Sequence, residues 1–147
     1  MTTSNIQQFD EITGQVLGAL YEIFPVPRPL LIKQFLEDGY TFDEHMGADI
    51  ANQRGEFFLA CIYWLGEAGY LRFKDRAHGF GVTEAVLTAK GLEALKAVPT
   101  SLSGGPSLGD QLVDATKSGA KGILGSLAGE VLSVGSRLVT AHLGLPG

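Results

Sequence analysis

Apolar residues recur at helical spacing through Asn52–Leu71, NQRGEFFLACIYWLGEAGYL. Phe57, Cys61, Trp64, Leu65 and Ala68 share one face, and Phe58, Ile62 and Tyr63 widen it into a broad stripe. Gly69 stands where such a helix ends, because glycine takes the left-handed conformation without steric cost. Tyr70–Lys74 then alternates with β-favouring aromatics and reads as a strand. Lys74–Gly81 is polar and glycine-bearing, so it reads as a loop, and Val82–Leu87 returns as a second strand. Thr88 can cap a last short helix over Ala89–Val98, and Pro99 follows it.

Upstream, Phe9, Ile12, Val16, Leu17, Leu20, Ile23 and Phe24 define a first helix over Ile6–Phe24, with Ser4 or Asn5 as its cap. Pro25, Pro27 and Pro29 force an extended connection. Pro29 suits the first position of a helix, so Pro29–Asp38 reads as the next one, burying Leu30, Leu31 and Phe35 and ending at Gly39. In residues 40–51, YTFDEHMGADIA, Thr41 and Glu44 fit a capping box and suggest a short helical turn.

Residues 100–108, TSLSGGPSL, have the composition of a flexible linker. Asp110–Leu143 lacks proline and reads as one long amphipathic helix. Ile123, Leu124, Leu127, Val131, Val134 and Leu138 fall on one face, and Ser118, Gly122, Gly125, Gly129, Ser133 and Ser136 on the other. Each helical glycine lowers helix propensity by about 1 kcal/mol relative to alanine, so this tail needs a packing partner. Its own domain, a second copy of the tail and a membrane surface are the open partners, with only a weak basic face for the last, and a transmembrane span over Ile123–Val139 is interrupted by Glu130 and Arg137.

Helix, Gly-Tyr-Leu, strand, loop, strand and Leu-Thr-x-Lys-Gly-Leu form an ordered series. Its core residues are Trp64–Leu71, WLGEAGYL, and Val86–Leu92, VLTAKGL. Over residues 5–99 the chain resembles the winged-helix superfamily, and with its glycine-rich tail it resembles bacterial proteins of unknown function. The resemblance implies a mainly α fold with a small β-hairpin, followed here by a C-terminal amphipathic helix. It also implies either a DNA reader or a protein-interaction module. For DNA the candidates are Gln53 and Arg54 at the start of the third helix, and Arg72, Lys74, Arg76 and His78 in the wing. For a protein interface they are Phe57, Phe58, Tyr63 and Trp64. Gly122, Gly125, Gly129 and Ser133, with Ile123, Leu127, Val131, Val134 and Leu138, are the candidates for tail packing.

Charge shifts the balance between these. The net charge is −5. Residues 1–99 carry 8 Lys and Arg against 13 Asp and Glu, and residues 100–147 carry 3 of each, so the whole excess lies in the first part. Acids at Asp43, Glu44 and Asp49 oppose phosphate, and binding to nucleic acid becomes the less favoured expectation. The single cysteine, Cys61, permits no internal disulfide and reads as a core residue. His45, His78 and His142 have no metal-ligand spacing, and HExxH, CxxC, GxSxG and the phosphate-loop pattern are missing from the sequence. No catalytic residue, metal or cofactor is therefore assigned. The N-terminus lacks a basic region followed by an apolar run, so a cytoplasmic location is expected, with the tail as a means of reaching a membrane surface. The sequence reading is a non-enzymatic interaction protein whose tail mediates self-assembly or membrane association. Alternatives are a DNA-binding regulator with an oligomerising tail, and a membrane-active effector.

Overall fold

A computed structural model of the chain describes residues 4–99 and 105–142. Helix α1 spans Asn5–Glu22 and starts in a reciprocal capping box between Ser4 and Gln7. Its apolar side, with Ile12, Val16, Leu17 and Leu20, is buried. Around α1 pack α3 (Gln53–Glu67), α4 (Ala89–Lys96), α5 (Leu108–Ser118) and α6 (Lys121–His142), so α1 is the central column of the molecule. Asn52 caps α3 by accepting from the Gly55 N–H, and Thr88 caps α4 by accepting from the Gly91 N–H. Gly69 is left-handed, with φ 86°, just beyond the α3 terminus.

The remaining elements are a short α2 (Ile32–Phe35) and six strands. An antiparallel sheet runs in the order β1 (Arg28–Leu31), β6 (Gly81–Leu87), β4 (Leu71–Arg72), and β5 (Arg76–Ala77) also pairs with β6. A separate ribbon is made by β2 (Tyr40–Asp43) and β3 (Ala48–Ala51). The described residues thus form a mainly helical fold with small antiparallel β elements.

Four sequence expectations are corrected here. The helix expected over Pro29–Asp38 is a strand followed by a single helical turn. Leu30 and Ile32 are both fully buried, and the run Arg28–Leu31 pairs with β6. Proline tolerates this because β1 is an edge strand and its register is irregular between Arg28 and Leu30, where no ladder donor is needed from Pro29. The helical turn expected in residues 40–51 is the β2–β3 hairpin. Tyr40, Thr41, Phe42 and Ile50 favour extended backbone, Asp43 Oδ1 accepts the turn N–H groups of His45 and Met46, and Gly47 supplies φ 65°. Thr41 makes no capping box, and its hydroxyl instead accepts from Asn52 Nδ2. The loop expected over Lys74–Gly81 contains β5.

The fourth correction concerns the tail, which is two helices and not one. Ser107 caps α5, accepting from the Asp110 N–H, and Gly119 ends it in the left-handed conformation. Residues 100–104 of the expected linker, and the tail beyond 142, lie outside the described residues. Both tail helices turn back onto α1. Leu108, Leu112, Leu124, Leu127 and Val131 are buried in the same core as Leu17, Leu20 and Phe58. The close approach depends on small residues of α1, Gly14 and Gly18, rather than on the GxxxG of the tail. A Cβ on Gly14 would lie 2.8 Å from the Leu124 carbonyl oxygen, while one on Gly122 or Gly129 would meet nothing within 4 Å. Of the residues expected on the apolar face of α6, Leu124, Leu127 and Val131 are buried and Val134 partly so. Ile123 and Leu138 are exposed.

Tyr70 ties the tail to the strand that follows α3. Its hydroxyl donates to the Leu132 carbonyl at 2.8 Å, its ring lies against Gly135, and the Lys90 ammonium sits 4.3 Å from the ring centroid. Tyr70→Phe is expected to lower stability by about 1 kcal/mol, the usual worth of one such bond. Burial also raises the Tyr70 phenol above its ordinary value of 10.0, against a smaller lowering by Ser136. The folded state therefore favours the neutral phenol. That contribution is whole below the unfolded pKa and is lost as pH rises through the higher folded value. Urea titrations from about pH 9 upward should show wild-type stability falling more steeply than that of Tyr70→Phe.

Candidate interaction surface

The outward side of α3 carries Gln53, Arg54, Glu56, Ala60, Trp64 and Glu67. Arg54 Nε donates to Asp38 Oδ1 at 3.0 Å, so its charge is already matched. In the wing, Lys74 Nζ lies 3.7 Å from Glu84 Oε2, and the Arg76 guanidinium stacks on the Tyr63 ring at 3.8 Å. Gln53, Arg72 and His78 are exposed. The structure does not gather these polar candidates into one basic stripe: most of the cations have an acid or a ring as partner, and Glu56 and Glu67 flank the helix surface.

The aromatic candidates also separate. Phe58 is fully buried and stacks on Phe35 at 5.3 Å, so it belongs to the core and cannot anchor a partner. Phe57 is partly buried against the same core, and Tyr63 is covered by Arg76 and Phe73. Trp64 is about half exposed, with the Phe9 ring edge-on to it at 5.3 Å. On the tail, Gly122, Gly129 and Ser133 face outward, while a Cβ on Gly125 would lie 3.7 Å from the Asp10 side chain.

A surface outside the sequence candidates is more pronounced. On the β2–β3 ribbon Phe42 is 60% exposed, Met46 70% and Ile50 41%. The base of the ribbon is fastened to the β5–β6 turn: Tyr40 Oη donates to the Gly79 carbonyl at 2.7 Å, and the Tyr40 and Phe80 rings lie 6.3 Å apart. Asn52 Nδ2 donates both to the Asp38 carbonyl and to Thr41 Oγ1, joining the ribbon to the start of α3. Phe80 is itself exposed, so the ribbon and turn present four large apolar side chains to solvent. The signal that would have found them is the extended-favouring Tyr40-Thr41-Phe42 and Ile50 on either side of Gly47.

Reactive chemistry is sparse in the described part of the chain. Cys61 is buried, and desolvation pushes its thiol up to about 12, so the thiolate nucleophile is suppressed. Burial also raises Asp10 and Tyr40. Among the described residues no three His, Cys, Asp or Glu side chains come together as a metal site, and no helix is long and apolar enough to cross a membrane. A cleft of about 530 Å³ between α1, α2 and α3 is lined by Glu11, Gln15, Phe35, Asp38, Arg54 and Phe57, among others. It brings no histidine or thiol near these carboxylates. No family model, no curated protein and no solved structure matches this chain.

Proposed function

We propose that this chain is a non-enzymatic protein-interaction module, built on a winged-helix body and using the β2–β3 ribbon as its contact arm. The winged-helix reading is supported by the order α1, β1, α2, α3, β4, wing, β6, and by a sheet whose last strand lies between the other two. The ribbon is then an insertion between the second and third helices. The observation that carries the functional reading is the exposure of Phe42, Met46 and Ile50 on one projecting ribbon. Phe42 and Ile50 lie on opposite faces of the ribbon and Met46 in its turn, so the apolar side chains are concentrated on one small element rather than scattered singly over the surface, which marks that element for interaction.

A DNA-binding regulator has less support. Arg54, Lys74 and Arg76 already have partners, and the net charge is −5. A tail that inserts in a membrane or self-assembles through its apolar face would need Leu124, Leu127 and Val131, which lie in the core. What α6 leaves outside, among the described residues, is the small-residue side with Ile123, Leu138, Glu130 and Arg137. In this reading the tail completes the body and the ribbon meets the partner.

Met46 offers a direct test, because it is one of only 2 methionines in the sequence and sits in the ribbon turn. Photo-methionine incorporated in cells should give, on illumination, an adduct between Met46 and another protein. Adducts to nucleic acid alone, or none through Met46, would contradict the reading.

A further inference from the structure

We propose that the ribbon's partner is a cationic, apolar-bearing strand of another protein, which adds edge-on to β2 or β3; this rests on the interaction reading above. Two observations define the partner's chemistry. The first is the backbone. β2 pairs only with β3 among the described residues, and β3 only with β2, so each strand has its other edge unpaired. Unpaired edges with exposed apolar side chains are templates for strand addition, where main-chain bonds give affinity and side chains give selectivity. Native edges are commonly protected by lysine or proline, and Tyr40–Ala51 contains neither.

The second observation is charge. From residue 37 to residue 51 the chain carries Glu37, Asp38, Asp43, Glu44 and Asp49, with no lysine or arginine. Asp38 is matched by Arg54; Glu44 and Asp49 are exposed. Directly opposed residues share a face of the ribbon, and the register sets Phe42 against Asp49 and Thr41 against Ile50. Phe42 and Asp49 therefore lie on one face. Asp43, two residues from Thr41, lies with Ile50 on the other. Each face offers one large apolar side chain and one carboxylate. The complementary strand carries a cation and an apolar residue on each of its faces, as a repeating Lys-Lys-Val-Val pattern does. A second copy of the ribbon is a poor occupant, because it would set acid beside acid.

The test titrates the full-length, isotope-labelled protein with the capped octapeptide Lys-Lys-Val-Val-Lys-Lys-Val-Val, and with the octapeptide in which glutamate replaces lysine. Saturable binding of the lysine peptide is expected, with amide shifts centred on residues 40–51 and affinity falling as salt is added. The glutamate peptide should not bind. The variant Glu37→Lys/Glu44→Lys/Asp49→Lys changes exposed side chains that hold no ion pair in the described structure. It should keep the wild-type melting temperature and lose affinity about tenfold or more. The proposal is overturned if the lysine peptide does not bind, if its shifts map elsewhere, if the glutamate peptide binds equally, if the charge-reversed variant binds as tightly, or if the peptide-free protein dimerises through residues 40–51. A Met46 adduct to another protein together with any of these failures would leave the interaction reading standing and remove only the cationic strand.

Discussion

A chain ending at Pro99 is expected not to fold cooperatively. It loses Leu108, Leu112, Leu124, Leu127 and Val131, all buried. At about 1.5–3 kcal/mol for each large apolar side chain, their burial is worth about 7–15 kcal/mol as an upper estimate. That equals the whole stability of a typical domain, about 5–15 kcal/mol. The loss also uncovers the Gly14–Gly18 face of α1, against which Leu112 and Leu124 rest, and it removes the acceptor of the Tyr70 hydroxyl and the Ser107 hydroxyl paired with Tyr21. Urea unfolding followed by circular dichroism should show a broad, baseline-free decline for residues 1–99 and a single sharp transition for the full chain. A sharp transition for the shorter chain, with native helix content, would show that the tail is dispensable to the body.

The second large effect is expected at Gly14. The Leu124 carbonyl that its substituent would strike is backbone of α6, and Leu112 Cδ2 lies a further 3.3 Å from the same point. Backbone cannot swing aside as a side-chain tip can, so Gly14→Val must push α5 and α6 off α1. Overpacking of this kind typically costs about 1–3 kcal/mol, and the better helix propensity of valine than glycine, a few tenths of a kcal/mol, offsets only a small part of it. A loss of about 2 kcal/mol is expected from chemical denaturation. Gly129→Ala supplies the opposite sign. Nothing lies within 4 Å of its new methyl group, and it should stabilise α6 by up to about 1 kcal/mol. Equal effects at the two sites would mean that α6 does not rest on Gly14.

These two glycines show where the sequence was readable and where it was not. Periodicity found α1, α3 and α4, because each has an apolar stripe, and the caps of α1 and α4 were legible in Ser4 and Thr88, while the Asn52 cap of α3 comes from the structure. It could not separate strand from helix in Pro29-Leu-Leu-Ile, a run too short to display a period and fully buried at Leu30 and Ile32. Gly125 and Gly129 have the GxxxG spacing that lets backbones approach, yet the contact is made by Gly14 and Gly18. Spacing alone says that a backbone can approach, not which of two helices offers the surface. The break at Gly119 was hidden because glycine is frequent throughout the tail, and only the left-handed backbone there distinguishes it from its helical neighbours. Of the surface candidates, Arg54, Lys74, Arg76 and Tyr63 were sensible by residue type. Their partners, Asp38, Glu84 and each other, come from other elements and were not visible along the chain. The ribbon was obscured by the Thr41 and Glu44 spacing, which imitates a helix start.

The claim on which the rest depends is that α5 and α6 belong to the folded body, leaving the ribbon as the exposed arm. Native-state hydrogen exchange on the full-length protein tests it most directly. The amides of Leu124–Val131 in α6 and of Val16–Leu20 in α1 should open with the same free energy and the same denaturant dependence, as one cooperative unit, while residues 40–51 exchange at lower cost. If the α6 amides open far more easily than those of α1, the tail is an appendage, and the interaction surface must be sought on its uncovered apolar face.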